Sequence, residues 1–347
     1  MEDEIKNLAY VWFTVMTSLC YCYFISAKFP KGLFRFMSLI PIFSLYASLP
    51  LSLKSAFFTA VTAFLITWLT SFKLLLFAFN QGPLTFNPTK PPLHVFIAIA
   101  ALPIKIKQNK NSPVAKSPKK VPLNLATETV AFSILIAVIR EYKDYIPPKI
   151  LLIVYCCLAF LLIDLIVALS SFLVRVLAGL ELEPPSDEPY LSTSLQEFWG
   201  RRWNLIVTNT LRHTVYKPVR SASATVLGNN LAPLVAVVAT FIVSGLMHEL
   251  LFYYVTRVSP SWEMTLFFVL HGVCVVVEFR LKAAFGGKWR LPWFVSGTLT
   301  VGFVVATSFW LFFPPLTRNG ADVMVIEEFI FFGELVKKKM LIFLARI

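Results

Sequence analysis

Eight apolar runs, each close to the length of a membrane-crossing helix, dominate this chain of 347 residues. A helix needs about 20 apolar residues to cross the hydrocarbon of a bilayer, because every backbone amide must find its hydrogen bond within the segment. By that rule, spans are predicted near 7–26, 36–53, 56–79, 123–140, 150–172, 231–256, 263–281 and 292–313. Composition agrees: 57% of the residues are hydrophobic and 15% charged, whereas about a quarter are charged in a soluble domain. Lipid is therefore the solvent for most of the chain. The expected fold is all-α, a single polytopic membrane domain over 1–347 with about eight transmembrane helices. The stretch Leu93–Ile104, with Pro91, Pro92 and Pro103 at its ends, is too short to cross and reads as a re-entrant or interfacial segment. Residues 325–347 mix Phe329, Ile330, Phe331 and Phe332 with Glu327, Glu328, Lys337, Lys338 and Lys339. That pattern favours an interfacial helix over a ninth span. Glu2, Asp3 and Glu4 precede the first apolar run and no small-residue cleavage site follows it, so a retained first span is expected in place of a signal peptide.

The net charge is +13, but the basic residues are scattered between apolar runs, which argues for membrane topology and against nucleic acid as a partner. One set of alternate loops holds twenty lysines and arginines, among them Lys28, Lys90, seven positions from Arg175 to Arg280 and the cluster from Lys105 to Lys120. The other set holds six: Lys6, Lys54, Arg140, Lys143, Lys149 and Arg257. Cytosolic loops carry the excess, so the N-terminus is placed in the lumen and the loops 80–122 and 173–230 in the cytosol. The segment Lys105–Lys120, rich in Lys, Asn, Ser and Pro, reads as a flexible loop. Cys20, Cys22, Cys156, Cys157 and Cys274 all fall within apolar stretches without metal-ligand spacing and read as packing residues.

Ionisable groups inside a membrane are costly, so those within spans are the first candidates for chemistry. His248, in Ser244-Gly245-Leu246-Met247-His248-Glu249, lies eight residues before the end of the sixth span, and His271 eight residues after the start of the seventh. At 1.5 Å per residue both should sit about 12 Å below the lumenal boundary. A lone intramembrane histidine could as well make one hydrogen bond across a helix interface, but Glu249 beside His248 and Ser244 one turn before it favour function for that residue. Asp164 and Glu128 are the other main candidates within spans. A second candidate is Ser194–Leu205, where helical spacing puts Glu197, Arg201, Asn204 and Thr208 on one side and Phe198, Trp199, Trp203 and Ile206 on the other. The same spacing serves an amphipathic surface anchor. There is no Gly-x-Ser-x-Gly elbow, no Walker loop, no His-Glu-x-x-His pair, and no histidine followed four or five residues later by Asp. No metal or redox cofactor is implied.

Glu197-Phe198-Trp199-Gly200-Arg201-Arg202-Trp203-Asn204, followed by an intramembrane Ser244–Glu249, resembles the paired signature of membrane-bound O-acyltransferases. The wider pattern is similar to the plant wax synthase branch, the long-chain-alcohol O-fatty-acyltransferases. It includes Lys73–Phe79 with Gly82-Pro83-Leu84, Glu188-Pro189-Tyr190-Leu191 and Leu270-His271-Gly272-Val273. Arg201 and Arg202 stand where related acyltransferases are more acidic and aromatic, a departure that fits this branch. The resemblance implies His248 as the catalytic histidine and Asn204 as its motif partner. It further implies Arg201, Arg202, Trp203 and Trp199 as an acyl-CoA-binding set, and His271, Glu249 and Glu197 in support. The implied reaction joins a fatty acyl group from acyl-CoA to a long-chain alcohol at the endoplasmic reticulum membrane, with acyl-CoA a substrate and no bound cofactor. A sterol acceptor is the alternative within this chemistry, and a transporter or silent scaffold is the alternative outside it.

Overall fold

A computed structural model describes residues 2–85, 90–104, 125–178, 182–183, 186–286 and 291–344. The predicted loop Lys105–Lys120 and the basic residues Lys288, Arg290 and Arg346 lie outside them. Ten helices carry the described chain: α1 (Glu2–Phe24), α2 (Leu33–Ser48), α3 (Ala56–Ala78), α4 (Leu93–Ala101), α5 (Leu125–Tyr142), α6 (Pro148–Ala178), α7 (Leu205–Thr256), α8 (Glu263–Ala284), α9 (Trp293–Arg318) and α10 (Ala321–Leu344). No β-sheet forms among the described residues. Helices α1, α2, α3, α6, α7, α8 and α9 are long and apolar enough to cross a membrane. The shorter α5 carries Glu128, Arg140 and Glu141, and it packs antiparallel on α6 as the eighth element of the bundle.

Hydrogen bonds sort the helix ends into two groups. At one end, Glu4 Oε1 accepts from the Lys54 and Ser55 amides at 2.9 and 2.8 Å, and Arg257 donates to the Pro50, Leu51 and Leu53 carbonyls. Glu263 pairs with Arg318 there as well. At the other end, the Gly32 amide donates to the Ala78 carbonyl, Tyr23 Oη donates to the Pro91 carbonyl, and the Gln196 amide donates to Glu278. These are the same two sets of loops that the lysine and arginine count separates. The chain is a multi-pass membrane protein.

Helix α4 is the short segment that cannot cross. A helix that ends inside a protein leaves its last carbonyls without partners, and in an apolar surrounding these must be satisfied by something other than water. Lys73, only 3% exposed on α3, fills that need. Its Nζ donates to the Ile99 and Leu102 carbonyls at 2.7 and 2.6 Å and to Ala100 at 3.4 Å. Helix α10 agrees with the interfacial reading. Asp322 meets Tyr155 and Lys143, Glu328 accepts from Ser55 Oγ and the Ala56 and Phe57 amides, and Glu334 pairs with Arg140. Three acids spaced over twelve residues, about 18 Å of helix, all reach the same end of the bundle. A helix crossing the bilayer could not do this, so α10 lies across that end.

Two expectations need correcting. The predicted cytosolic loop 173–230 is largely helical: α6 runs on to Ala178, and α7 starts at Leu205 and reaches the sixth span through a break at Gly228. Gly228 has φ 77°, ψ 168°, a backbone state open to glycine for want of a Cβ. The predicted surface helix over 194–205 is also broken. It makes one turn over Leu195–Glu197, widens to a π turn over Phe198–Arg202, and stops at Trp203.

Candidate active site

The break at Trp203 is made by Asn204, which adopts φ 38°, ψ 66°. Asn tolerates this left-handed region better than other side chains, because its short amide can bond locally. Its Oδ1 then accepts from the Val207 amide at 3.2 Å and caps the first turn of α7. The turn before it is capped in the same way, with Ser194 Oγ accepting from the Glu197 amide and Glu197 reaching back to the Thr193 amide and hydroxyl at 2.9 and 2.8 Å. This Ser-x-x-Glu pattern is readable in the sequence as a helix start at Ser194, and it carries no sign of the break at Asn204. Glu197 is latched further by Arg202, whose Nε donates to it at 2.7 Å while Nη1 donates to the Asp187 and Glu188 carbonyls. Burial by itself works against charge on Glu197, but the Thr193 groups and the Arg202 guanidinium outweigh it and hold the carboxyl below its usual range. Phe198 and Trp203 stack at 5.8 Å, and Trp203 meets Phe160 of α6 at 6.2 Å. The motif is thus a compact capped hairpin seated on the bundle.

Trp199 points from that hairpin into the membrane domain. Its Nε1 donates to His271 Nδ1 at 3.0 Å, and His271 Nε2 meets Thr307 Oγ1 at 2.9 Å. An indole can only donate, so Nδ1 is the acceptor and Nε2 carries the hydrogen toward Thr307, which donates in turn to the Phe303 carbonyl at 2.8 Å. His271 is fully buried with both nitrogens committed. It is a joint between the hairpin, α8 and α9, and it is closed to proton exchange with a substrate.

His248 is arranged in the opposite way. Its Nδ1 lies 2.7 Å from the Ser244 carbonyl, one turn back on α7. A carbonyl only accepts, so Nδ1 carries the hydrogen and Nε2 keeps its lone pair. No partner meets Nε2 among the described residues, and the ring is half-buried. Phe268 stacks on it at 4.3 Å and 27°, with Trp68 at 5.1 Å and Phe312 at 5.9 Å completing an aromatic surround. Because His248 lies level with Phe268, it sits about one helical turn from His271, not at the same depth as expected.

The fit of α7 against α8 explains the residues around His248. A Cβ on Gly245 would stand 2.8 Å from Thr265 Cα, and one on Gly272 would stand 2.8 Å from Phe241 Cβ. Both glycines let the two helices approach closely enough for Phe268 to reach the imidazole. Glu249, 5% exposed, accepts from the Thr265 amide at 3.2 Å and satisfies a free donor in the first turn of α8. Its support for the site is the seating of α8.

A model of the family described as "Membrane bound O-acyl transferase family" matches residues 182–270, which hold the capped hairpin and His248. A long-chain-alcohol O-fatty-acyltransferase of Simmondsia chinensis is 41% identical over 98% of both chains. The chain belongs to the membrane-bound O-acyltransferases. An Arabidopsis thaliana protein named "Probable long-chain-alcohol O-fatty-acyltransferase 3" is also 41% identical, over 99% of both chains. An "Acyl-CoA--sterol O-acyltransferase 1" of the same plant is 40% identical over 93% of this chain and 94% of its own.

Within that family frame, the structure gathers His248, Phe268, Trp199 and His271 into one chain of contacts. Asn204 is not hydrogen-bonded to His248 among the described residues. Trp199, from the same hairpin, reaches the site instead, meeting at 5.6 Å the Phe268 ring that stacks on His248. The two arginines part company: Arg202 is latched to Glu197, while Arg201 is exposed and makes no ion pair among the described residues. Trp68 was missed from sequence, since one tryptophan in an apolar run carries no pattern that separates it from a packing residue.

Proposed function

We propose that this membrane-bound O-acyltransferase moves a fatty acyl group from acyl-CoA to a long-chain alcohol, forming a wax ester in the endoplasmic reticulum membrane. The observation that carries the mechanism is the tautomer of His248. With Nδ1–H held by the Ser244 carbonyl, Nε2 presents a lone pair inside an aromatic surround, as a general base for a hydroxyl requires. Nε2 takes the proton of the alcohol, and the alkoxide-like oxygen attacks the thioester carbonyl. The tetrahedral adduct then collapses, its carbon–sulfur bond breaks, and the departing thiolate takes the proton back from Nε2. Ester and free CoA are the products, and no electron or external proton is consumed.

The substrates approach by different routes. CoA is soluble and polyanionic, so it meets the hairpin end of the bundle, where the exposed Arg201 offers a guanidinium to its phosphates. Trp199 and Trp203 line the hairpin behind it, and Arg202 holds the hairpin's shape through Glu197. The alcohol partitions into lipid and arrives laterally. A sterol acceptor is the second reading, favoured by the 40% identity to a sterol acyltransferase. The test is an assay of microsomes holding the expressed chain, supplied with labelled acyl-CoA and a panel of fatty alcohols, sterols and diacylglycerol. Wax ester as the main labelled product is expected; steryl ester in its place would move the acceptor, and no acyl ester at all would overturn the reading.

A further inference from the structure

The indole of Trp68 has a polar group that the fold leaves unused. The residue is 2% exposed on α3, and its Nε1–H has no hydrogen-bond acceptor among the described residues. More than about nine in ten buried polar groups find a partner, and one left bare weighs against the folded state. Four buried side-chain polar atoms are left bare among the described residues: Trp68 Nε1, Asp164 Oδ1, Thr265 Oγ1 and Asp322 Oδ1. The last three are oxygens, on a hydroxyl that can rotate or on carboxylates with a second oxygen. Trp68 Nε1 is the one fixed donor, and it belongs to a ring that packs on the His248 imidazole at 5.1 Å and 80°.

Local structure supports a purpose for that placement. Trp68 lies in the stretch Ala63–Thr70, where α3 widens from α to π geometry. Such a widening strains the ladder of backbone hydrogen bonds and recurs at functional sites. Here Thr70 and Ser71 hydroxyls donate to the Leu65 and Ile66 carbonyls, which the wider turn exposes. Phe64 braces the indole from the side at 5.8 Å. The ring is therefore held firmly while its N–H is left bare.

We propose that Trp68 is a catalytic residue of the acyl transfer, its Nε1–H donating to the carbonyl oxygen of the acyl thioester and to the oxyanion formed when the alcohol adds. This rests on the acyltransferase reading above, with His248 as base. An indole donates and never accepts, so it suits the one substrate oxygen that gains negative charge during the reaction and has no proton to give. The base and the donor would then act on opposite partners of the same bond-forming step: Nε2 of His248 on the hydroxyl, Nε1 of Trp68 on the carbonyl. The role is independent of which alcohol is used, so a sterol acceptor leaves it intact.

The experiment replaces the indole by a ring without a donor, Trp68→Phe, and measures kcat and both KM values together with thermal stability in detergent. Loss of an oxyanion donor lowers kcat by about 10²-fold, with the KM for the alcohol little changed. The smaller ring leaves a void at a buried position, so the melting temperature should fall modestly and kcat is taken per folded protein, by size exclusion of the same samples. A kcat within about threefold of wild type would overturn the proposal. So would a loss of activity that follows the loss of folded protein, with the folded fraction turning over at the wild-type rate. A raised KM for the alcohol with kcat intact would also overturn it, placing the donor on the wrong substrate. Wild-type protein run in the same assay separates the two ideas: if it forms no acyl ester with any acceptor, the acyltransferase reading fails first.

Discussion

Arg202→Ala and Arg201→Ala, one residue apart, should fail in different ways. Arg202 and Glu197 are 21% and 25% exposed in their side chains and meet at 2.7 Å. A charge-assisted bond of that geometry contributes about 1.5–3 kcal/mol when buried, and partial exposure reduces it toward about 1 kcal/mol. The bonds from Nη1 to the Asp187 and Glu188 carbonyls, at 3.0 and 3.4 Å, add about 1 kcal/mol between them. Arg202→Ala should therefore destabilise the hairpin by about 2 kcal/mol, which corresponds to a fall of roughly 3 °C in melting temperature for a chain of 347 residues. Turnover falls with it, because the same hairpin carries Trp199 and Asn204. Arg201→Ala should leave the melting temperature in place and raise the KM for acyl-CoA by about fivefold, the effect of about 1 kcal/mol at an exposed phosphate contact. Detergent-purified variants, compared by thermal shift and by acyl-CoA titration at fixed alcohol, give both readouts. Equal rises in acyl-CoA KM with unchanged stability for both variants would make Arg202 a phosphate ligand and refute the latch. The latch also has a pH sign. Glu197 is held below the ordinary carboxylate value of 4.5, so its contribution is present above that pH and is lost as the pH falls through the lowered value.

Other substitutions probe the joints of the site. Trp199→Phe keeps the contacts with Phe241, Phe267 and Phe268 but removes the donor to His271, so a stability loss of about 1–2 kcal/mol and a clear drop in turnover are expected in thermal-shift and ester assays. Lys73→Met leaves the Ile99 carbonyl bare at the end of α4, while the Thr70 hydroxyl still serves Ala100 and the Ile104 amide still serves Leu102, and a loss of about 1–3 kcal/mol should appear as reduced recovery of monodisperse protein on size exclusion. Gly245→Ala drives a methyl to 2.8 Å from Thr265 Cα and should cost about 1–3 kcal/mol, whereas Gly302→Ala, with open space around it, should be neutral in the same melting assay.

The parts of this account that were legible in the sequence are those set by length, periodicity and charge. A crossing helix must be long and apolar throughout, so seven of the predicted spans coincide with helices able to cross and the short α4 was readable before any coordinates, whereas the predicted span 123–140 answers to α5, which is not among those seven. Loop charge separated the same two ends that Glu4, Arg257, Gly32 and Tyr23 tie together. His248 stood out because an imidazole in a span is costly enough to need a reason. What periodicity could not supply was the hairpin, since helical spacing from Ser194 to Leu205 is a property of the residues and the break is a property of one backbone angle at Asn204. The contrast between the histidines was equally hidden. It depends on which nitrogen faces a carbonyl and which faces an indole, and those partners come from positions 199, 244 and 307. The long helix over 205–227 was lost for a further reason: its sequence is too polar to be a span, and a rule that searches for spans passes over it.

The central claim is that His248 Nε2 takes the proton of the alcohol, and His248→Ala tests it most directly. Folding is checked by size exclusion in detergent and turnover by labelled ester formation from acyl-CoA and a long-chain alcohol. The account predicts a loss of at least about 10²-fold in turnover in folded protein, with a smaller loss for His271→Ala, whose two nitrogens are already committed to Trp199 and Thr307. Near-normal ester synthesis by folded His248→Ala would contradict the mechanism, whatever family the chain belongs to.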